Sequence, residues 1–410
     1  MIHTLFNRNF TLLVFGQVSS LFGNIILRFA LSMYILVVTG SATVFASLLA
    51  VSIIPTILLS PFGGILADRA NRRNIMVALD FISGISVLFF CFLLSEANTV
   101  PVIGMILIVL SVLAAFESPT VQACVPQMQE GDNIIRANAV VNQVAAVAGF
   151  VAPVLGGVFY AMFGLYPILI ASTVCYFLTA LLECFIKLDY VRANIEAGIW
   201  TMIKNDFAVS MRFIAKEQPY ILKLLLLVAA INFFTAGTAA VGMPFMIRNI
   251  LGLGATYYGA AESALGIAAI AGSIAAGLLV SKLKTRNLYL FLAVFGIGFL
   301  PAGLTFFFNA PTVVSYASIV SSFVFVQFVA CIFSIFALSV IQQKTPNELL
   351  GKVMAYIATV SMCAQPFGQM IYGAMFDNLR NRAFLILIPT AIVLCLIGMA
   401  SKKTFRGLEK

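Results

Sequence analysis

The chain has 410 residues, of which 62% are apolar and only 10% charged, and a mean hydropathy of +1.06, far from the roughly one-quarter charged residues of a soluble domain. The net charge of +9 comes without any basic stripe interleaved with aromatics, which excludes a nucleic-acid partner. The single histidine, His3, and seven scattered cysteines supply no clustered ligand set, so neither a metal site nor another cofactor site is expected.

A helix needs about 20 apolar residues to cross a hydrocarbon core, and the apolar runs divide the chain accordingly. Spans are predicted at 11–38, 44–67, 74–95, 101–121, 136–161 and 165–187. A more polar stretch, Leu188–Tyr220, follows. Six further spans are predicted at 221–247, 256–280, 288–308, 312–341, 351–376 and 383–400. The fold class is therefore all-α, twelve transmembrane helices in two bundles, residues 1–187 and 221–410, joined by a linker at 188–220. The first run is too long for the core of a cleavable signal peptide.

Lys and Arg set the orientation of such a chain. The N-terminal tail, even-numbered loops and C-terminal tail hold 19 basic residues, against three in the odd-numbered loops, Arg248, Arg380 and Arg382. Both termini and the linker are expected on the cytoplasmic side of the plasma (inner) membrane. An internal repeat is also expected. Gly64–Asn74 and Gly277–Asn287 keep their character at an offset of 213 residues, the offset that also separates Pro153 from Pro366. The halves therefore read as copies in the same orientation.

The loop after span 2 reads Asp68-Arg-Ala-Asn-Arg-Arg73, preceded by Gly63 and Gly64. A carboxylate among Arg69, Arg72 and Arg73 can pair with them or cap a helix N-terminus, each arrangement belonging to one state of a gate. Topology alone would require the basic residues but neither the aspartate nor the glycines. This loop resembles the Gly-x-x-x-Asp-Arg-x-x-Arg-Arg signature of the major facilitator superfamily. In span 5, Gly149-Phe-Val-Ala-Pro-Val-Leu-Gly-Gly157, with Pro153, Gly156 and Gly157, is similar to the bent element of its drug/proton antiporters, with Ala152 in place of a glycine. Phe116–Gln122, Ile134–Asn138 and Glu348–Met354 resemble its macrolide and multidrug efflux branch.

The resemblance implies two six-helix bundles and a secondary transporter that exports small lipophilic or amphipathic molecules by alternating access, coupled to protons. The implied partners are a small-molecule substrate, protons and the lipid bilayer, and a monomer is expected. Asn24 stands where many relatives have Asp, and span 4 lacks their arginine. Rival readings are an exporter or uniporter of one metabolite (siderophore, peptide product or lysolipid) and a non-transporting sensor. Enzymes and ATP-driven pumps are not expected, because no Walker loop, nucleophile elbow or His-Glu-x-x-His pair is present.

Ionisable groups inside spans should face a cavity or a partner. Arg28 and Glu262 lie at similar depth and either pair or reach the rim separately. Asp80 is expected to pair with a loop arginine as part of the cytoplasmic gate. Glu117 is placed at the cytoplasmic end of span 4, and Glu183 with Lys187 as an i,i+4 pair. If spans 1, 4, 7 and 10 line a pathway, its candidates are Gln17, Asn24, Arg28, Phe116, Glu117, Asn232, Phe233, Phe234, Phe323, Gln327 and Phe328. So aromatic a wall suits a lipophilic or amphipathic substrate.

Overall fold

The computed structural model describes residues 5–188, 219–279 and 285–408. His3, nearly all of the 188–220 linker and the basic residues Lys282 and Lys284 lie outside the described residues. The described chain forms α1 (Arg8–Thr39), α2 (Ala42–Arg69), α3 (Arg72–Leu93), α4 (Thr99–Met128), α5 (Asp132–Phe163) and α6 (Leu165–Cys184). It continues with α7 (Pro219–Thr235), α8 (Ala255–Leu279), α9 (Leu288–Ile297, resumed at Leu300–Phe307), α10 (Thr312–Lys344), α11 (Asn347–Asn378) and α12 (Phe384–Leu408). Beyond Thr235, α7 runs on in π-helical turns, Ala236–Gly242 and Met246–Ile250.

Eleven of the described helices are long and apolar enough to cross a membrane. With no water in the bilayer core, backbone polar groups must be satisfied within the helix itself, which is why an apolar chain of this composition folds this way. Caps stand at the ends. Asn7 accepts the N–H of Phe10 at 2.9 Å to start α1, and Gly40, at φ 61°, ends it by returning its N–H to Leu36.

The chain divides into two compact units. Of the described residues, unit 1 contains 5–40, 48–188 and 253–263, and unit 2 contains 41–47, 219–252, 264–279 and 285–408. The first turns of α2 and α8 are thus grouped away from the rest of their own helices.

In unit 1, α1 packs on α5 and α6. Gly16, Ser19 and Gly23 recur at three- and four-residue spacing and let the backbones of α1 and α6 approach, the usual basis of helix contact in lipid. Polar groups close the seam: Thr179 donates to the Gly16 carbonyl at 3.2 Å, Ser19 to Cys175 at 3.0 Å and Ser172 to Gly23 at 3.0 Å.

In unit 2, α9 packs on α12 and α7 on α11. Rings of Phe233, Phe234, Tyr372 and Phe376 fill the second contact.

The repeat reappears in the packing. A methyl on Gly259 of α8 would lie 2.5 Å from the Pro153 carbonyl, and one on Gly157 would lie 2.8 Å from that of Ala255. In unit 2, Gly373 of α11 meets Ala42 and Ala46 of α2 in the same close manner. Ala42 and Ala46 precede Ala255 and Gly259 by 213 residues each.

Helix boundaries differ from expectation at several points, among them the end of α12, which runs to Leu408 rather than 400. Helix α4 continues to Met128 rather than ending at 121, and α5 begins at Asp132. The polar residues that close the apolar run of span 4 face a cavity instead of bulk water.

Candidate functional site

Unit 1 carries a partly open cavity of about 590 Å³ whose wall is built by α1, α4 and α5. Helix α1 contributes Gln17, Ser20 and Asn24, α4 contributes Glu117, Ser118 and Gln122, and α5 contributes Asn138 and Asn142. Ala114, Val121, Val141 and Ala145 supply apolar patches between them. Spacings of three and four residues put each set on one helical face. Five side-chain amides and a carboxylate converge, so the wall can donate to and accept from an oxygen-rich ligand and offers one acidic anchor.

This wall is less aromatic than expected. Gln17, Asn24 and Glu117 line it, whereas Phe116 packs against Ile75, Leu79 and Leu113. Ser20, Ser118, Gln122, Asn138 and Asn142 were not among the expected pathway residues: Asn138 and Asn142 stand on span 5, outside the helices expected to line the pathway, and Ser118, Gln122 and Asn138 lie in stretches valued for family resemblance alone. The available signal was a helical face of amides. Glu117 also sits in the interior of α4, well away from its end, because the helix outlasts the apolar run.

Behind the cavity lies a buried carboxylate cluster. Ser20 Oγ is 3.2 Å from Asp80 Oδ1 and 3.3 Å from Glu117 Oε1. Asp80 and Glu183, each 1% exposed, lie within hydrogen-bonding reach of one another. Asp80 therefore does not pair with a loop arginine. Glu183 does not pair with Lys187, whose exposed side chain leaves it, while the Lys187 N–H donates to Asn9. Both residues sit on the inner face of their helices, where an unscreened surface cation would be costly to bury.

Arg28 donates from Nε to Asn24 Oδ1 at 2.7 Å and from a terminal nitrogen towards Ser111 at 3.5 Å. Glu262 instead accepts from Tyr258 Oη at 2.8 Å, and Tyr258 stacks on Phe29 with ring centroids 5.0 Å apart. The Arg28–Glu262 pair is not formed, because each group turns to a neighbour on its own helix.

In the loop after α2, Arg72 Nε donates to the Ala67 carbonyl at 2.8 Å, closing the end of α2, and Arg73 donates to the Cys184 carbonyl. Arg69 ends α2. The side chain of Asp68 lies outside the described residues. Gly63 is pressed against Ala115, Phe116 and Pro119 of α4, whereas no described atom stands within 4 Å of a methyl placed on Gly64. Of the two glycines before the loop, Gly63 makes the close helix approach. In α5, Gly156 faces the ring of Phe29 and Pro153 and Gly157 receive the first turn of α8.

Among the unit 2 candidates, Asn232 accepts from Gln365 at 3.1 Å, and Phe233 stacks edge-on against Phe234 and Tyr372. Gln327 is half-buried on α10. Phe323 is buried in an edge-to-face stack with Phe299, itself against Phe295, so it is a packing residue. Phe328 borders an open apolar groove with Ala264, Ile267 and Phe325.

A bundle of apolar helices enclosing a polar, acid-bearing cavity defines a polytopic membrane carrier. The sequence pattern of the Major Facilitator Superfamily matches residues 13–369, and the chain belongs to that family. It is similar to macrolide efflux protein A of Streptococcus pyogenes, 22% identical over 408 residues and 96% of each chain. It is also similar to the staphyloferrin A transporter of Staphylococcus aureus, 20% identical over 286 residues, 69% of this chain and 70% of that one. Among solved structures, a bacterial homologue of the iron transporter ferroportin superposes with a TM-score of 0.71 at 17% identity, covering 98% of each chain. The peptide transporter POT superposes with a TM-score of 0.74 at 15% identity, covering 98% of this chain and 95% of that one. These likenesses carry the fold.

Proposed function

We propose that the protein exports amphipathic, oxygen-rich small molecules across the plasma membrane by alternating access, in exchange for protons. The observation that carries this reading is the cavity in unit 1, where five amides and Glu117 meet apolar patches. Such a wall suits a ligand with several hydroxyl or carbonyl groups and a cationic amine better than a purely lipophilic one. A macrolide has that chemistry, and the full-length similarity to macrolide efflux protein A supports it. Asp68 with Arg69, Arg72 and Arg73 is proposed as the cytoplasmic gate, with both termini in the cytoplasm and the protein acting as a monomer.

Export of a single metabolite is the second reading. A siderophore is also rich in oxygen donors, and the similarity to the staphyloferrin A transporter favours it over the remaining alternatives.

The test is acridine-dye quenching in everted vesicles holding an imposed proton gradient, with macrolides, lipophilic cations and siderophores added in turn. Discharge that needs both the protein and a macrolide supports proton-coupled drug export. Discharge by siderophores alone selects the second reading. No discharge by any compound removes proton antiport.

A further inference from the structure

We propose that Asp80 and Glu183 form the proton-binding site of this carrier, a carboxylic acid–carboxylate pair that exchanges its proton with the cavity through Ser20 and Glu117. The proposal rests on the proton-antiport reading and names the site that reading needs.

The first observation is an unmet hydrogen-bond demand. Asp80 Oδ2 and Glu183 Oε2 are buried, and neither has an N–H or O–H donor among the described residues. An ionised carboxylate is an acceptor only, and two bare carboxylates side by side in a low-dielectric interior carry both a desolvation penalty and their mutual repulsion. The two carboxyls are within hydrogen-bonding reach of each other. One proton held between them converts one oxygen into a donor and satisfies both.

The second observation is a connection to the cavity. Ser20 Oγ lies between Asp80 Oδ1 and Glu117 Oε1, and Glu117 stands on the cavity wall. A hydroxyl has one proton and two lone pairs, so it can donate to one carboxylate while accepting from the other carboxyl. A proton arriving on Glu117 then passes to the Ser20 oxygen as the original Ser20 proton passes to Asp80. The O–H bond on Glu117 breaks, one forms on Asp80, and Ser20 is restored with one proton. Negative charge moves from Asp80 to Glu117, and no other reactant is required. Rotation of the hydroxyl resets the relay.

Two further groups point at the same place. Tyr176 Oη is buried without a hydrogen-bond partner and interacts electrostatically with Glu117, Arg28 and Asp80. Gln17 Nε2, on the cavity wall next to Ser20 and 94% buried, is likewise without an acceptor. Both are donors held in reserve for a ligand or for a carboxylate that has lost its proton. The charged and titratable groups around the pair are Glu117 and Cys124 from α4, Arg28 from α1, Tyr176 and Cys184 from α6, and Arg72 from α3. Among the described residues, the cation facing Glu117 is Arg28, so a proton entering the relay offsets a local excess of negative charge.

The test needs two measurements on the purified full-length protein in liposomes. Infrared difference spectroscopy against Asp80→Asn and Glu183→Gln reads the carbonyl band of a protonated carboxylic acid and requires no substrate. The band is expected in the wild type at neutral pH and should be missing from both variants. Its persistence in both, or its absence from the wild type, overturns the shared proton. Transport of a radiolabelled macrolide is then compared between an imposed pH gradient and counterflow without one. Each variant should lose gradient-driven transport about tenfold or more relative to its own counterflow, with Ser20→Ala showing the same loss while keeping the infrared band. Variants that still respond to the gradient overturn the assignment alone. A wild type indifferent to the gradient overturns proton antiport, and with it the role of the pair, whatever the infrared result.

Discussion

Asp377, in the last turn of α11 beyond its apolar stretch, accepts from three groups at the start of α2. Ser41 Oγ lies at 2.6 Å, and the N–H groups of Ala42 and Thr43 at 2.7 and 2.8 Å. All of these residues belong to unit 2. Ser41 in turn accepts the N–H of Val44 at 3.2 Å, so the first turn of α2 is capped once locally and once by a distant carboxylate. A helix N-terminus leaves its first N–H groups unpaired and attracts negative charge. Removing such a cap costs about 0.5–2 kcal/mol. The charge adds roughly 0.3–1 kcal/mol, and because Asp377 is half-exposed, water recovers part of the sum. A net loss of about 1–2 kcal/mol for Asp377→Ala corresponds to local opening roughly 5- to 30-fold more frequent. Hydrogen exchange of a peptide covering residues 41–47 reads this directly, and the acceleration should be confined to that peptide. Asp377→Asn should fall between wild type and alanine.

A pH dependence follows with a definite sign. Burial alone would raise the Asp377 carboxyl, but the hydrogen bonds from Ser41, Thr43 and Ala42 outweigh it and hold the group below the usual Asp value. The unfolded turn therefore binds the proton more readily than the folded one. Protection, corrected for intrinsic exchange chemistry, should be complete above the ordinary Asp value near 3.9 and lost as pH falls through the lower folded value. Exchange in Asp377→Ala should lack this dependence. Unchanged exchange in Asp377→Ala at neutral pH would refute the capping argument.

Gly63→Ala and Gly64→Ala should separate in thermal unfolding in detergent. The first overpacks against the Ala115 carbonyl and costs about 1–3 kcal/mol; the second meets open space and should stay within about 0.5 kcal/mol of wild type. Tyr258→Phe removes the donor to Glu262 at 2.8 Å and should lower stability by about 1–3 kcal/mol, the cost of an unsatisfied buried acceptor, with Glu262→Gln in the same background recovering part of it. Arg28→Gln and Glu262→Gln have no shared partner, so their effects on unfolding should add within about 0.5 kcal/mol; strong coupling would restore the pair. Asp68→Asn should insert normally, as judged by yield in the membrane fraction, yet lose or uncouple macrolide transport, and normal turnover would remove the proposed gate.

Much of the architecture was legible because lipid imposes it. A hydrocarbon solvent demands about 20 apolar residues per crossing and self-satisfied backbones, so hydropathy alone located the helices now seen as α1–α12. The 213-residue offset was visible in the Gly64 and Gly277 stretches and in the two prolines, and it returns where Ala42 and Ala255 begin α2 and α8. Polar residues were harder. Gln122 lies just past the apolar run of span 4, and Asn138 and Asn142 stand on span 5, outside the helices expected to line a pathway, yet all three form a wall facing inward.

The partners of the ionisable residues were not legible. Glu183 lies four residues before Lys187, and that local spacing suggested a surface pair. Its actual neighbour, Asp80, is on another helix and carries the same charge, a combination that only a shared proton or another ligand makes tolerable. Arg28 and Glu262 had similar depth but each found a residue four positions away on its own helix, Asn24 and Tyr258. The sequence by itself determined the solvent, the all-helical class, the repeat and the family, because each depends on composition or short-range pattern. Only the tertiary structure decided which polar groups share an interior, because rotation and packing of helices bring together residues whose separation along the chain bears no relation to their distance in space.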